Sequence, residues 1–145
     1  MSEREFLARG EGEMLALGAR LAGELAGGQV WTLSGDLGAG KTTLVRGMLR
    51  GLGFEGRVKS PSYGLVESYR IGDLEIHHLD LFRLGHPEEL DFIGLEDLVG
   101  PDSVLLIEWP ERGPGRLPAA TYRIDISFAE AGRRVRSSRV AQSTV

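Results

Sequence analysis

The sequence lacks residue types on which several classes of protein depend. None of its 145 residues is a cysteine, so it has no disulfide framework, no thiolate metal site and no cysteine nucleophile. It also has no asparagine, which excludes the Asn-Lys-x-Asp motif with which GTPases recognise guanine. Its glutamines, Gln29 and Gln142, lie at a predicted strand start and in the C-terminal tail, so neither is placed to orient water as the glutamine of Ras-like enzymes does.

Long apolar runs and an excess of positive charge are also missing. No apolar stretch approaches the roughly 18 residues of a membrane-spanning helix, and the acidic residues 1–5 are unlike a signal peptide, so we expect a cytoplasmic protein without a membrane partner. The net charge of −4 contrasts with the basic domains that hold nucleic acid by bulk electrostatics, so any role on RNA is expected to be indirect. The length is that of one domain, 1–145, whose last five residues we expect to be disordered.

A phosphate-binding motif is present. Residues 35–42 read Gly-Asp-Leu-Gly-Ala-Gly-Lys-Thr, which matches G-x-x-x-x-G-K-[ST]. Its glycines allow successive backbone N–H groups to turn inward around an anion, and the helix that follows adds the positive end of its dipole. Lys41 is expected to reach the β- and γ-phosphates, and the Thr42 hydroxyl to ligate Mg²⁺. Without a guanine motif we expect ATP or ADP with Mg²⁺, bound by Asp36, Leu37, Gly38, Ala39, Gly40, Lys41, Thr42, Thr43 and Trp109.

Apolar periodicity and turn signals predict an α/β protein: a three-layer P-loop NTPase-type fold with a mixed, partly parallel sheet and attached antiparallel hairpins. Helices are expected over residues 11–26 and 41–52, and a third should begin at Pro87 and fade by Gly100. The expected strands are 30–33 and 103–108, both buried, together with two hairpins that pair 64–70 with 74–81 and 121–128 with 133–140.

Two carboxylates at strand ends are the candidate metal ligands and catalytic groups. Glu108 closes the apolar strand 103–108, and Asp80 closes the strand that starts at Leu74. Ligands of open α/β sheets gather at the carboxyl ends of strands, and an acid at the end of a buried strand is costly unless it is paired or bound to metal. We therefore expect Glu108, Asp80 and Thr42 around Mg²⁺, Lys41 on the phosphates, and either acid to position the attacking water. A solvated strand end is the alternative for both acids.

Other candidates carry open alternatives. His78 should share a strand face with Asp80 and orient it or a phosphate, or be structural only. Trp109 follows Glu108 and lies near the nucleotide or packs in the core. The segment Ser60, Pro61, Ser62 and Tyr63 is a switch or partner-contact segment, or an ordinary turn. The basic strand 133–139, with Arg133, Arg134, Arg136 and Arg139, is a charged edge strand or a docking patch.

Five motifs in order along the chain together resemble the bacterial ATPase family of tRNA threonylcarbamoyladenosine biosynthesis, called TsaE and formerly YjeE. The motifs are the phosphate loop, Ser-Pro-Ser-Tyr (60–63), His-Leu-Asp-Leu-Phe-Arg-Leu (78–84), Ile-Glu-Trp-Pro-Glu (107–111) and Leu-Pro (117–118). The resemblance implies a cytoplasmic ATPase that acts with a TsaB–TsaD type complex in modifying position 37 of tRNAs. Contact with tRNA is then expected only through those partners.

The same resemblance assigns roles to particular residues. It implies that Lys41 and Thr42 bind phosphate and Mg²⁺, that Glu108 is the metal-associated acid, and that Asp80 is the acid of a His-x-Asp segment. It also implies that residues 60–63 form the switch segment. The chain departs from the family pattern with Ser at 62 where Thr is usual, Phe at 82 where Tyr is common, and Met at 14 where Thr is expected.

The leading hypothesis from the sequence is Mg²⁺-dependent ATP hydrolysis. An arginine that would act in cis on the transition state is not evident, so we expect slow turnover without partners. A small-molecule kinase with Arg112 and Arg116 as lid arginines is the enzyme alternative. A nucleotide-controlled binding module with negligible catalysis is the other.

Overall fold

The computed structural model describes residues 3–59, 61 and 65–140, and these residues form a seven-stranded mixed sheet. Strand order across the sheet is β1-β7-β6-β2-β5-β4-β3. The four central strands β6, β2, β5 and β4 are parallel, while β1 with β7, β7 with β6 and β3 with β4 are antiparallel. The strands are β1 (Glu3–Ala8), β2 (Val30–Ser34), β3 (Val66–Ile71), β4 (Leu74–Asp80), β5 (Ser103–Glu108), β6 (Tyr122–Ala129) and β7 (Gly132–Arg139).

Helical segments cover both faces of this sheet, which confirms the predicted fold class. Helices α1 (Glu11–Leu21) and α2 (Lys41–Gly51) pack on each other and on one face. The other face is covered by a 3₁₀ turn at Pro87–Phe92 and the short helix α3 (Leu95–Leu98). The part of the chain that the structure describes contains no helix that is both long and apolar enough to cross a membrane.

Strand alternation decides which face receives the functional side chains. On β5, Val104 and Leu106 belong to the core beneath α1 and α2, whereas Leu105 and Ile107 belong to the core on the opposite face. Because side chains alternate along a strand, Glu108 points to the face that carries α2. The sheet therefore directs its strand-end acid toward the start of the phosphate-loop helix.

Helices α1 and α2 touch through glycines. A Cβ on Gly18 would lie 2.8 Å from the backbone nitrogen of Met48, and a Cβ on Gly47 would lie 3.0 Å from the Leu15 carbonyl carbon. A side chain at Gly18 would force the backbone of α2 to shift and one at Gly47 would press on the backbone of α1, so the two helix backbones are in direct contact.

Three details of the fold differ from the sequence predictions. Strand β1 was not predicted, and its pairing with β7 means that β7 is not the charged edge strand considered above. The first helix ends at Leu21 instead of residue 26, because a 3₁₀ turn follows and Leu25 adopts an extended conformation with its side chain buried. The helix predicted from Pro87 is broken, because Gly94 adopts a left-handed conformation (φ 74°) between the 3₁₀ turn and α3. Of the hairpin strand expected at 64–70, residue 64 lies outside the described residues, as does the tail expected to be disordered.

Substituting Gly18 tests the close packing of the two helices. Gly18→Ala is expected to lower the free energy of unfolding by about 1–3 kcal/mol, because the new Cβ would press on the backbone of α2. The matched control is Gly12→Ala in the same helix, where nothing lies within 4 Å of the added Cβ and where alanine should stabilise by up to about 1 kcal/mol. Urea unfolding measures both; equal effects of the two substitutions would contradict direct backbone contact.

Candidate functional site

The phosphate-loop motif forms a tight turn between β2 and α2. Gly38 (φ 78°) and Gly40 (φ 111°) both adopt left-handed backbone conformations, and Gly40 caps the start of α2. Residues with a side chain rarely adopt such φ angles, which is the physical reason for glycine at these positions. Ala39, buried between them, anchors the loop in the core, whereas Leu37 is exposed.

The ammonium group of Lys41 is held inside this loop. Its Nζ donates hydrogen bonds to the carbonyl oxygens of Gly35 and Asp36, the latter at 3.0 Å, and lies 4.2 Å from the centroid of the Trp109 ring. Burial lowers the pKa of Lys41, although the nearby carboxylates of Glu108 and Asp80 act in the opposite direction. A buried ammonium whose charge is penalised in this way gains from an anionic ligand.

The carboxylate of Glu108 is almost fully buried and is held by two side chains. The Thr42 hydroxyl donates to Oε2 at 2.9 Å, and Nε2 of His78 lies 2.6 Å from the same oxygen. An ionised carboxylate only accepts hydrogen bonds, so Nε2 of His78 carries the proton. Nδ1 of His78 is buried and has no hydrogen-bond partner among the residues that the structure describes. His78 therefore orients Glu108, and not Asp80 as considered from the sequence.

Asp80 lies beside Glu108 in the parallel register of β4 and β5. Its Oδ1 accepts a hydrogen bond from the backbone N–H of Phe82 at 3.1 Å. Burial raises the pKa of the Asp80 carboxyl, and the neighbouring Glu108 charge adds to this, while the Phe82 N–H, His78 and Lys41 act against it. Two neighbouring carboxylates whose negative charges are only partly balanced by hydrogen bonds favour a bound cation.

These groups surround one open cavity of about 430 Å³. Asp36 contributes through its carbonyl to Lys41, and Ala39 lies in the core beneath the loop. Of the switch segment, Pro61 lines the cavity, while Ser60, Ser62 and Tyr63 lie outside the described residues. The other predicted site residues that line it are Leu37, Gly38, Gly40, Lys41, Thr42, Thr43, Asp80, Glu108 and Trp109.

Three lining residues were not predicted to take part in the site: Leu65, Phe82 and Arg83. Phe82 and Arg83 come two and three residues after Asp80, whose carboxylate accepts a hydrogen bond from the Phe82 N–H. Aspartate commonly makes this local turn, so an Asp at a strand end, two residues before Phe82, was the available signal.

Trp109 forms one wall of the cavity. Its backbone is left-handed (φ 58°, ψ 52°), a conformation that costs a non-glycine residue about 1–3 kcal/mol and that clusters at functional sites. Its ring lies 5.0 Å from that of Phe82, and the Arg112 guanidinium lies 5.3 Å and 5.6 Å from the Phe82 and Trp109 centroids. The tryptophan lines the cavity and also packs against the core, while its contact with a nucleotide stays a prediction.

A second cavity of about 360 Å³ opens on the other side of the phosphate loop. Met14 and Thr43 line it, as does Arg133, which donates from Nη2 to the Gly38 carbonyl at 3.3 Å and lies 4.4 Å from the Phe128 ring centroid. Arg134 pairs with Glu5 on β1 at 2.6 Å. The basic strand is therefore engaged in part with the loop and with β1.

The oxygen ligands at the site suit Mg²⁺. Thr42 Oγ1 and the Glu108 carboxylate are within hydrogen-bond distance, and Asp80 is next to Glu108 in the sheet. Among the described residues no cluster of three or more His, Asp or Glu side chains forms a closed metal site. Mg²⁺ typically uses one or two protein oxygens together with substrate phosphates and waters, so this sparse set fits it.

Comparisons with known proteins give a consistent result. A family model described as "Threonylcarbamoyl adenosine biosynthesis protein TsaE" matches residues 8–137. The chain is 53% identical over 103 residues to the tRNA threonylcarbamoyladenosine biosynthesis protein TsaE of Haemophilus influenzae, covering 71% of this chain and 65% of that protein. It is 39% identical over 131 residues to the TsaE of Streptomyces coelicolor, covering 85% of this chain and 86% of that protein.

The match thus spans slightly less than two thirds of the Haemophilus influenzae protein. Among solved structures, the crystal structure of Bacillus subtilis YdiB aligns with a TM-score of 0.77 and 27% sequence identity, covering 97% of this chain and 87% of that one.

The environment of Asp80 predicts a pH-dependent stability difference. A carboxyl whose pKa is raised by folding stabilises the protein below its unfolded-state pKa, and this contribution is lost as pH rises through the folded-state pKa. Asp80→Asn keeps an oxygen for the Phe82 N–H and removes the charge. It is expected to be more stable than the wild type at neutral pH, with the difference shrinking as the pH is lowered until Asp80 is protonated.

Urea unfolding of both proteins across the acidic range checks this, with Asp73→Asn in the exposed β3–β4 turn as the control. An Asp80→Asn protein less stable than the wild type at neutral pH would contradict the electrostatic account.

Proposed function

The chain belongs to the TsaE family, which takes part in tRNA threonylcarbamoyladenosine biosynthesis, and from this premise we propose that it is a Mg²⁺-dependent ATPase that serves this modification. One observation carries the proposal. A glycine-rich loop with two left-handed residues opens into α2 directly opposite two strand-end acids, all around one cavity. This combination offers backbone donors for phosphate, a lysine and metal-binding oxygens in one place.

The phosphate loop and Lys41 supply most of the affinity for the triphosphate. The Lys41 ammonium is held by two backbone carbonyls and the Trp109 ring, none of which is anionic. Phosphate oxygens would replace these neutral partners with anionic ones and would offset the burial that lowers the pKa of Lys41.

Glu108 and Thr42 are the residues that would hold Mg²⁺, which would withdraw charge from the phosphate oxygens when bound. The hydrogen bond between them supports this assignment, and His78 keeps the Glu108 carboxylate in place. Asp80 is then the acid that we assign to the attacking water. Its Oδ2 has no hydrogen-bond partner among the described residues. The raised pKa of Asp80 makes its carboxylate a better proton acceptor at neutral pH.

The nucleoside is expected in the second cavity. This cavity adjoins the phosphate loop at Thr43, and Met14 and Arg133 give it an apolar and a cationic surface. Met14 has no hydroxyl, so the base would be held by packing and not by a side-chain hydrogen bond from that position.

The proposed partners are a TsaB–TsaD type complex, with tRNA reached through it. The net charge of −4 supports an indirect contact with tRNA. The kinase alternative is not favoured, because Arg116 pairs with Asp91 and Glu88 and Arg112 stacks on the aromatic pair, so neither lines the cavity. Release of phosphate to water without an acceptor separates an ATPase from both a kinase and a binding module.

Glu108→Gln tests the division of roles. It should lower the rate of ATP hydrolysis about 100-fold or more, because an amide binds Mg²⁺ more weakly, while the Kd for ADP changes little since the loop and Lys41 are intact. Phosphate release and titration calorimetry provide the two measurements. Normal turnover in this variant would remove Glu108 from the proposed mechanism.

Lys41→Ala tests the nucleotide dependence of the family role. We expect the variant to lose ATP binding and to fail in reconstituted threonylcarbamoyladenosine formation with the partner proteins, because the phosphate charge is no longer offset. Arg50→Ala, an exposed position at the far end of α2, is the matched control and should support the modification. Modification that proceeds equally well with Lys41→Ala, or without this protein, would contradict the proposal.

A further inference from the structure

We infer that Arg83 is a catalytic residue that acts in cis on the transferred phosphoryl group, supplying the transition-state cation that the sequence alone did not reveal. The inference rests on the proposed ATPase function and deepens it. Two observations support it: Arg83 lies in a hydrogen-bonded turn beside the cavity, and no other arginine among the described residues lines that cavity.

The turn that carries Arg83 is fixed at both ends. The N–H of Leu84 donates to the Leu81 carbonyl at 3.1 Å, which closes a four-residue turn with Phe82 and Arg83 at its centre. Both leucines are buried, and the N–H of Leu81 continues the sheet by donating to the Glu108 carbonyl at 3.1 Å. Asp80 adds its hydrogen bond to the Phe82 N–H.

As a result, Phe82 and Arg83, the two central residues of the turn, both line the cavity that the strand-end acids line. The hydrogen bonds of the turn to Glu108 and Asp80 therefore fix the backbone of Arg83 relative to both acids.

The guanidinium of Arg83 is also available. Within the part of the chain that the structure describes, it is the one arginine that lines the cavity, it is exposed, and it forms no ion pair or side-chain hydrogen bond. Other arginines near the two cavities are engaged: Arg46 with Glu11, Arg133 with the Gly38 carbonyl, and Arg112 with the aromatic pair. An unpaired cation facing a site that binds a triphosphate is suited to the charge that develops during transfer.

In the reaction, the oxygen of a water forms a bond to the γ-phosphorus while the bond from that phosphorus to the β–γ bridging oxygen breaks. The electron pair of the broken bond leaves with ADP, and the water proton passes to the Asp80 carboxylate and then to solvent. Arg83 is not consumed; it donates hydrogen bonds to the γ-phosphoryl oxygens or the bridging oxygen as charge builds there. Slow turnover without partners is still expected, since no described residue holds the guanidinium in one orientation, and a docked partner would do so.

The test compares Arg83→Ala and Arg83→Lys with the wild type in three measurements on the full chain. These are single-turnover ATP hydrolysis, the Kd for ADP with Mg²⁺, and the Kd for the transition-state mimic formed by adding aluminium fluoride to that complex. We expect Arg83→Ala to lose about 100-fold or more in hydrolysis and a comparable factor in affinity for the mimic, while its ADP affinity stays unchanged. Arg83→Lys should recover little, because an ammonium lacks the planar fork of donors that a guanidinium presents.

Free guanidinium ion at non-denaturing concentration should restore part of the hydrolysis in Arg83→Ala. The matched control is Arg123→Ala, an exposed arginine on β6, which should behave as the wild type in all measurements. Far-UV circular dichroism verifies that each variant is folded.

Two results would overturn the inference alone: wild-type rates in Arg83→Ala, or equal losses of affinity for ADP and for the mimic, which would make Arg83 a ground-state anchor. A wild-type protein that binds no ATP, or binds it without hydrolysis even when the partner complex is present, would overturn the proposed function and this inference with it.

Discussion

The register between parallel strands β2, β5 and β4 determines the site. Leu33 pairs with Glu108, and Glu108 with Asp80, so the three strands end together at the edge where the phosphate loop begins. Side chains alternate with a period of two, so a slip of one residue in β5 would turn Glu108 away from Thr42 to the opposite face of the sheet. The hydrophobic cores on both faces oppose such a slip, and in this way the packing of the whole sheet fixes the position of one carboxylate.

Charge concentrated at this edge is only partly balanced within the protein. Lys41, Asp80 and Glu108 lie around one cavity, and burial opposes ionisation of both the lysine and the aspartate. Lys41 donates to two neutral carbonyls, Asp80 accepts from one backbone N–H, and Glu108 contacts Thr42 and His78, so none of the three takes part in a bidentate ion pair with an arginine. Removing a charge from water is costly unless it is compensated. A triphosphate would supply the anionic partner that Lys41 lacks, and its metal would supply the cationic partner that Asp80 and Glu108 lack. Binding would therefore reduce the free-energy cost of burying these charges.

The sequence was sufficient for features with local causes. The phosphate loop, the buried strand at 103–108 and both hairpins follow from glycine spacing, apolar runs and turn residues, and the structure has each of these strands within about two residues of its predicted bounds, a normal margin for strand ends. Features with non-local causes were missed: β1 pairs with β7 across most of the chain, and His78 contacts Glu108 on the neighbouring strand. Gly94 shows a third limit, because one left-handed residue interrupts the helix that was expected to run from Pro87 to about Gly100.

The glycine contact between α1 and α2 has a mechanical consequence. With no side chains between the two backbones at Gly18 and Gly47, nothing compressible separates them. We therefore expect the two helices to shift together and not independently. Since α2 begins at the phosphate loop and α1 begins beside the second cavity, a displacement at one cavity would reach the wall of the other through this contact.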